Sequence, residues 1–182
     1  MKATSWGNSM SYDFSRVRVV LAEDINMMQD LMSYALDCLG VKHILKASDG
    51  KAAYDLCVQQ NPDVVICDWQ MQPVDGLSLV KKIRQDEGAS TRTVPIIMVT
   101  GYASEEYVAA ARDAGVNEFL VKPFTAESLA NRLSAIVERP RSYVEAPHYF
   151  GPDRRRKSMK VAYKGPKRRD EDMGDDQWSV DI

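Results

Sequence analysis

The chain has 182 residues, of which 45% are hydrophobic and 27% are charged, and its formal net charge is -2. These proportions are those of an ordinary globular protein, and they exclude a chain that is disordered or of low complexity throughout. No apolar run is long enough to span a bilayer. No apolar stretch of signal-peptide length follows the first residues, so the sequence predicts a cytoplasmic protein.

The near-neutral total hides an uneven distribution of charge. Up to residue 138 the chain has 13 basic and 18 acidic residues, whereas from residue 139 onward it has 11 basic and 8 acidic residues. Residues 154–169 include nine Lys and Arg and no acid, and residues 170–182 include six acids and no base. This change in composition predicts a globular part followed by a charged tail.

Short apolar runs alternate with amphipathic stretches between residues 17 and 138. In chain order they predict strand 17–22, helix 27–39, strand 43–47, helix 52–58, strand 64–67, helix 77–83, strand 95–99, helix 105–114, strand 118–121 and helix 126–137. Five strands that alternate with five helices imply an α/β fold with a parallel sheet covered on both faces. We therefore expect a flavodoxin-like, doubly wound (βα)5 domain with a five-stranded parallel sheet of order 2-1-3-4-5.

The two flanks of this domain lack such periodicity. Residues 1–16 predict a flexible N-terminal extension, and residues 139–182, with few aliphatic side chains, predict a charged and disordered tail. The tail contains a repeat, because Gly-Pro-x-Arg-Arg occurs twice, fourteen residues apart, with Tyr149 before the first copy and Tyr163 before the second. Two copies are too few for a solenoid.

Polar residues follow four of the predicted strands. Glu23 and Asp24 follow the first strand, Asp68 the third, Thr100 the fourth and Lys122 the fifth. The carboxyl ends of these strands meet at one edge of a doubly wound sheet, so we expect the five side chains to converge. Three carboxylates so close together repel unless a cation is bound or a pKa rises, and Mg²⁺ suits an oxygen site shared with a phosphate. With a lysine and a hydroxyl nearby, the set predicts phosphoryl transfer.

This ordered set, which ends in Lys122-Pro123, resembles the receiver domain of bacterial two-component response regulators, the CheY-like domains. The resemblance spans residues 17–138. It implies that Asp68 is the phosphoacceptor, which takes a phosphoryl group from a histidine kinase or a histidine phosphotransfer protein. It also implies that Mg²⁺ is held by Glu23, Asp24, Asp68 and the backbone carbonyl of Gln70.

The resemblance assigns further roles around this centre. Thr100 would bond a phosphoryl oxygen, Lys122 would pair with the phosphate, and the peptide to Pro123 would be cis. Phe119 would be the switch aromatic that turns inward when Thr100 moves, although an aromatic in an apolar strand is equally well explained by packing. Gln70 and Tyr102 would border the path of the attacking water, and we hypothesise that their bulk slows hydrolysis.

Each of these residues, taken alone, has a simpler explanation. An acidic residue at a strand end is usually a helix cap, and only the agreement of five positions favours chemistry. The Asp49-Gly50 and Asp75-Gly76 pairs are interpreted as turns that begin helices. Cys38, Cys57 and Cys67 lack metal-ligand spacing and are expected to be reduced thiols.

The expected function is therefore signalling, not enzymatic turnover beyond self-catalysed phosphotransfer to Asp68 and slow autodephosphorylation. The 44 residues after residue 138 show no helix-turn-helix pattern, so the expected output is phosphorylation-dependent protein binding at helix four, strand five and helix five. Two alternatives stay open. The domain could pass phosphate onward in a phosphorelay, or the basic tail could bind nucleic acid under control of the receiver. We favour protein docking or self-association, since residues 170–181 can neutralise the basic run and Trp178 offers an anchor.

Overall fold

The computed structural model describes residues 13–101, 104–147 and 149–154. In chain order its elements are β1 (Arg18–Ala22), α1 (Asn26–Cys38), β2 (His43–Ala47), α2 (Gly50–Gln60), β3 (Val64–Asp68), α3 (Gly76–Gln85), a 3₁₀ turn (Ser90–Thr93), β4 (Ile96–Thr100), α4 (Glu105–Ala114), β5 (Glu118–Val121), α5 (Ala126–Glu138), β6 (Tyr143–Ala146) and β7 (Tyr149–Pro152). The ten elements predicted between residues 17 and 138 are all present, with ends that differ by at most two residues.

The first five strands form one parallel sheet of order β2-β1-β3-β4-β5. This arrangement confirms the flavodoxin-like doubly wound fold. Every residue of β3 and β4 is buried, which explains why their sequences are continuous apolar runs and do not alternate with polar residues.

The core has two layers, one on each face of the sheet. Val65 and Cys67 of β3 pack with residues of α2, α3 and α4, while Val64 and Ile66 pack with residues of α1 and α5. Phe14 joins the second layer and is 5% exposed. The expectation of a flexible extension up to residue 16 is therefore wrong at Phe14, because a single buried aromatic leaves no periodic signal.

The helix ends follow the expected local chemistry. Asp49 accepts hydrogen bonds from the backbone N–H groups of the first turn of α2, and Asp75 accepts one from the N–H of Ser78 in α3. The interpretation of both Asp-Gly pairs as turns that begin helices is confirmed. Gly115 ends α4 with a φ of 97°, a left-handed conformation that favours glycine.

The largest departure from expectation follows α5. Strands β6 and β7 form an antiparallel hairpin that packs on the ends of α3 and α4, so the prediction of a disordered tail from residue 139 is wrong for residues 143–152. The hairpin packs through aromatic rings against cationic side chains: Arg84 lies over the ring of Tyr143 and Arg92 over that of Phe150. A count of aliphatic residues does not detect this kind of packing.

Residues 155–182 lie outside the described part of the chain. They contain most of the basic run, the second copy of the repeat, the acidic segment and Trp178. The functions expected of that segment, including nucleic-acid binding, stay predictions.

Two further expectations concern membrane-spanning helices and the state of the cysteines. None of the helices there has the length and the apolar character needed to cross a membrane. Cys38, Cys57 and Cys67 are free thiols, as expected. Burial raises the pKa of Cys57 to about 12, so this thiol stays protonated and unreactive at neutral pH.

Candidate functional site

Three carboxylates converge at the carboxyl ends of β1 and β3, which are neighbouring parallel strands. One carboxylate oxygen from each of Glu23, Asp24 and Asp68 lies within 4.8 Å of the other two. Glu23 is fully buried, Asp68 is 6% exposed, and Asp24 is exposed. The cluster therefore combines a buried floor with one side open to solvent.

Lys122 supplies the positive charge in this cluster. Its Nζ atom lies 2.8 Å from Oε2 of Glu23 and 3.1 Å from Oδ2 of Asp68. Burial acts to lower the pKa of Lys122, but the hydrogen bond to Glu23 and the charge of Asp68 outweigh it, so the pKa is raised and the ammonium group persists. The Lys122–Pro123 peptide is cis, as the resemblance predicts.

Asp68 is held in a fixed orientation and in an unfavourable environment for its charge. Its Oδ1 accepts a hydrogen bond of 2.9 Å from the backbone N–H of Trp69, while Oδ2 faces Lys122. Loss of hydration raises the pKa of Asp68, Lys122 opposes this shift, and the neighbouring charge of Glu23 adds to it. The carboxylate is thus more basic than an exposed aspartate.

Thr100 and Phe119 lie on the next two strands. Thr100 is the last residue of β4, is fully buried, and its carbonyl accepts a 2.7 Å hydrogen bond from the N–H of Lys122. This places Thr100 beside the residue that carries the ammonium group. Phe119 on β5 is paired with Met98 and is 5% exposed within the layer of α2, α3 and α4. The roles proposed for both side chains stay predictions.

The two residues assigned to the water path have different outcomes. Gln70 is exposed, two positions beyond Asp68. Its backbone carbonyl as a metal ligand and its side chain as a barrier to water stay predictions. Tyr102 lies outside the described residues.

Two residues that the sequence did not predict, Gln29 and Gln72, position the first carboxylates. Nε2 of Gln29 donates hydrogen bonds to the carbonyls of Glu23 at 3.1 Å and Ala47 at 2.8 Å, which fastens the loop after β1 to β2. The N–H of Gln72 donates to Oδ2 of Asp24 at 3.2 Å. The bonds from Gln29 to Ala47 and from Gln72 to Asp24 join residues 18 and 48 positions apart, and no spacing rule signals them.

Gly76 has a second role beyond beginning α3. A β-carbon at this position would lie 2.1 Å from the carbonyl oxygen of Asp68, so the helix approaches the end of β3 more closely than any other residue type permits. The N–H of Gly76 donates to the carbonyl of Trp69 at 3.0 Å. The Asp75-Gly76 pair signalled a helix start, but not this contact.

An aromatic pair borders the site on the side of α4. The rings of Trp69, next to Asp68, and Tyr107 on α4 meet edge to face, with centroids 5.1 Å apart and planes at 69°. The first turn of α4 is thereby in contact with the residue that follows the central carboxylate.

Fold and site together assign the chain to the CheY-like class of α/β signalling domains. Residues 19–134 match the family described as response regulator receiver domain, and the chain belongs to this family. Receiver domains act in two-component signalling. The β6–β7 hairpin lies beyond the matched residues.

Individual relatives agree with this assignment. The chain is 34% identical over 123 residues to the chemotaxis protein CheY-3 of Vibrio cholerae, covering 68% of this chain and 93% of the relative. It is 32% identical over 123 residues to the chemotaxis protein CheY of Pseudomonas aeruginosa, covering 68% of this chain and 98% of the relative.

Solved structures show the same likeness. The structure of CheY4 of Vibrio cholerae has a TM-score of 0.61 at 28% identity, covering 66% of this chain and 98% of its own. The receiver domain of a sensor histidine kinase from Pseudomonas aeruginosa has a TM-score of 0.61 at 29% identity, covering 67% of this chain and 98% of its own. That structure has a magnesium ion coordinated in its active site cleft.

Proposed function

We propose that the protein is a phosphoacceptor response regulator in which Asp68 takes a phosphoryl group from a phosphohistidine. The observation that carries this proposal is the position of Asp68, 3.1 Å from Lys122 and within the cluster formed with Glu23 and Asp24. A carboxylate nucleophile, an ammonium group and a metal-binding acidic cluster are the components that phosphoryl transfer requires.

The donor set of the cluster fits Mg²⁺. Its three carboxylates are hard oxygen ligands, and exposed Asp24 leaves room for the waters that Mg²⁺ retains. We assign Glu23, Asp24, Asp68 and the backbone carbonyl of Gln70 as the residues that would hold the ion. Bound there, Mg²⁺ would neutralise negative charge on the cluster and on the transferring group.

The protein side chains divide the remaining work. The carboxylate of Asp68 attacks phosphorus, forming a P–O bond while the P–N bond to the donor histidine breaks and the electron pair leaves with the imidazole. In this proposal Lys122 balances the charge on the phosphoryl oxygens, and the hydroxyl of Thr100 donates a hydrogen bond to one of them.

The phosphodonor must dock where its histidine can reach Asp68. The start of α1 borders the cluster at Asp24 and presents large exposed apolar side chains, with exposed fractions of 54% at Ile25, 76% at Met27, 58% at Leu31 and 69% at Tyr34. A stripe of this kind next to a reactive group is suited to a protein partner. We assign it to the histidine kinase or phosphotransfer protein.

The phosphorylated protein would then signal by binding a downstream protein at α4, β5 and α5. The outer face of α4 begins with exposed Glu105 and Glu106, so a partner at that end would carry basic residues. If the product were instead a phosphohistidine on another protein, the chain would be a phosphorelay intermediate.

The central test is phosphorylation by acetyl phosphate and Mg²⁺, followed by intact mass. The wild type is expected to gain one phosphoryl group and Asp68→Asn none. Asp63→Asn is the matched control, because Asp63 is an exposed aspartate at the opposite end of the same strand. Equal incorporation by wild type and Asp68→Asn would contradict the proposal.

The second test concerns the output. A pull-down with phosphorylated and unphosphorylated protein should recover a partner in a phosphorylation-dependent manner. Transfer of label from Asp68 to a histidine of that partner would identify a relay, and retention of label on Asp68 would identify a binding signal.

A further inference from the structure

Helix α4 contacts the candidate site at one end and the C-terminal hairpin at the other. At its first turn, Tyr107 packs edge to face on Trp69, the residue next to Asp68. At its far end, β7 and Arg154 pack on the last residues of α4. One helix therefore contacts both regions.

The packing of α4 on the sheet is thin. Its buried side chains are Ala111 and Ala114, and Val108 is partly buried. The neighbouring α3 buries Leu79, Val80 and Ile83. Because apolar stabilisation scales with buried area, α4 is held much less firmly between its ends than α3 is. The contacts at the two ends of α4 therefore do much to fix the position of this helix.

The far-end contacts are close and charged. Arg154 lies 3.2 Å from Asp113, and its guanidinium stacks 4.0 Å from the ring centroid of Tyr149. A β-carbon on Gly151 would lie 2.9 Å from the Cα atom of Gly115, so β7 touches the end of α4 backbone to backbone. A small displacement of α4 would break or tighten the Arg154–Asp113 and Gly151–Gly115 contacts together.

Other residues of the hairpin contact residues outside α4. The hydroxyl of Tyr143 lies 3.3 Å from the carbonyl of Val94 and from Oδ1 of Asn117, and Arg92 lies 3.1 Å from Glu145. These partners lie next to β4 and β5, not on α4. The hairpin is thus held both by the segments that precede β4 and β5 and by the end of α4.

We propose that α4 couples the phosphorylation state of Asp68 to the β6–β7 hairpin, so that phosphorylation changes how firmly the hairpin is held. This inference rests on the proposed function. A phosphoryl group brings about 1.5 to 2 negative charges to the site beside Trp69, and the Trp69–Tyr107 contact transmits the adjustment to α4. The coupling is reciprocal, so the hairpin also influences the site.

The test is amide hydrogen exchange of the full chain, measured by mass spectrometry with and without acetyl phosphate and Mg²⁺. In the wild type, exchange of residues 149–152 is expected to change about fivefold or more on phosphorylation. In Tyr107→Leu, Asp68 should still be phosphorylated but this change should disappear. Glu106→Gln, at the exposed neighbouring position of α4, is the matched control and should behave as wild type.

A second variant tests the far end. Arg154→Gln should increase exchange of residues 149–152 in the unphosphorylated protein and diminish the further change on phosphorylation. It serves as the deciding variant if Tyr107→Leu does not fold.

The results separate the two proposals. Absence of a phosphoryl group on the wild type would overturn the proposed function and this inference with it. Phosphorylated wild type with unchanged hairpin exchange would overturn this inference alone. The same holds if Tyr107→Leu and Arg154→Gln retain the full change.

Discussion

The ammonium group of Lys122 lies 2.8 Å from the carboxylate of Glu23, a side chain with no exposed surface. This contact gives the buried carboxylate its cation. Removal of one partner of a buried pair costs about 3–5 kcal/mol because the other charge is left uncompensated. We expect Lys122→Met to destabilise the metal-free protein by this amount, and Mg²⁺ to stabilise the variant more than the wild type, because the acidic cluster has lost its internal cation.

Thermal unfolding with and without Mg²⁺ measures both effects. Lys46→Met is the matched control, since Lys46 forms an exposed ion pair with Asp30 that is worth at most about 1 kcal/mol. Equal Mg²⁺ effects on wild type and Lys122→Met would contradict the prediction.

A methyl group at Gly76 would collide with the carbonyl of Asp68. We expect Gly76→Ala to lower the free energy of unfolding by about 1–3 kcal/mol and to slow phosphorylation, because α3 must move away from the end of β3. Urea unfolding and the rate of phosphoryl incorporation are the measurements. Gly88→Ala, where a β-carbon meets nothing within 4 Å, should leave both unchanged.

The side-chain oxygen of Asn117 joins the sheet to α3 and the hairpin. It lies 3.0 Å from the N–H of Ile96 and 3.1 Å from the guanidinium of Arg84, both of which donate to it, and 3.3 Å from the hydroxyl of Tyr143. We expect Asn117→Ala to cost about 1–3 kcal/mol for each buried donor left unsatisfied. Urea unfolding should show this loss, whereas Asn131→Ala, an exposed position on α5, should show almost none.

Because the hydroxyl of Tyr143 is partly buried, we expect the free energy of unfolding to depend on pH in the alkaline range. Burial raises the pKa of its hydroxyl, so the folded state binds this proton more tightly than the unfolded state does. Its contribution is fully present below the unfolded pKa of about 10 and is lost as the pH rises through the folded pKa. Tyr143→Phe should cost about 1 kcal/mol at neutral pH, and the cost should shrink above pH of about 10. A cost that grew with pH in urea unfolding would contradict this assignment.

The hypothesis on phosphoryl lifetime is tested at Tyr102. If its bulk restricts the attacking water, Tyr102→Ala should lose the phosphoryl group faster than the wild type. The decay of labelled protein after removal of the phosphodonor measures this rate. An unchanged rate would contradict the hypothesis.

The sequence was sufficient for the sheet and for the convergence of Glu23, Asp24, Asp68 and Lys122. Both follow from apolar runs and from the rule that parallel strands end at one edge. Contacts between segments far apart in the sequence could not be predicted. Gln29, for example, donates a hydrogen bond to a carbonyl of β2, and no local sequence pattern indicates that contact.

The hairpin could not be predicted for a different physical reason. Its strands are four residues each, and they pack through Tyr143 and Phe150 against arginines, not through alternating aliphatic side chains. Hydrophobic periodicity signals the packing of aliphatic side chains, and it does not signal rings that stack on guanidinium groups. The Tyr149 and Gly-Pro signature was visible as a repeat, but nothing indicated where it would dock.

Arg154, the last residue that the structure describes, lies beside Asp113 at the end of α4 opposite to Tyr107. Helix α1, which carries the apolar stripe, packs on the opposite face of the sheet from α4. A phosphodonor on α1 and a target at α4 would therefore occupy separate places. The protein is then expected to accept a phosphoryl group while it is bound to its target, without one partner having to leave before the other arrives.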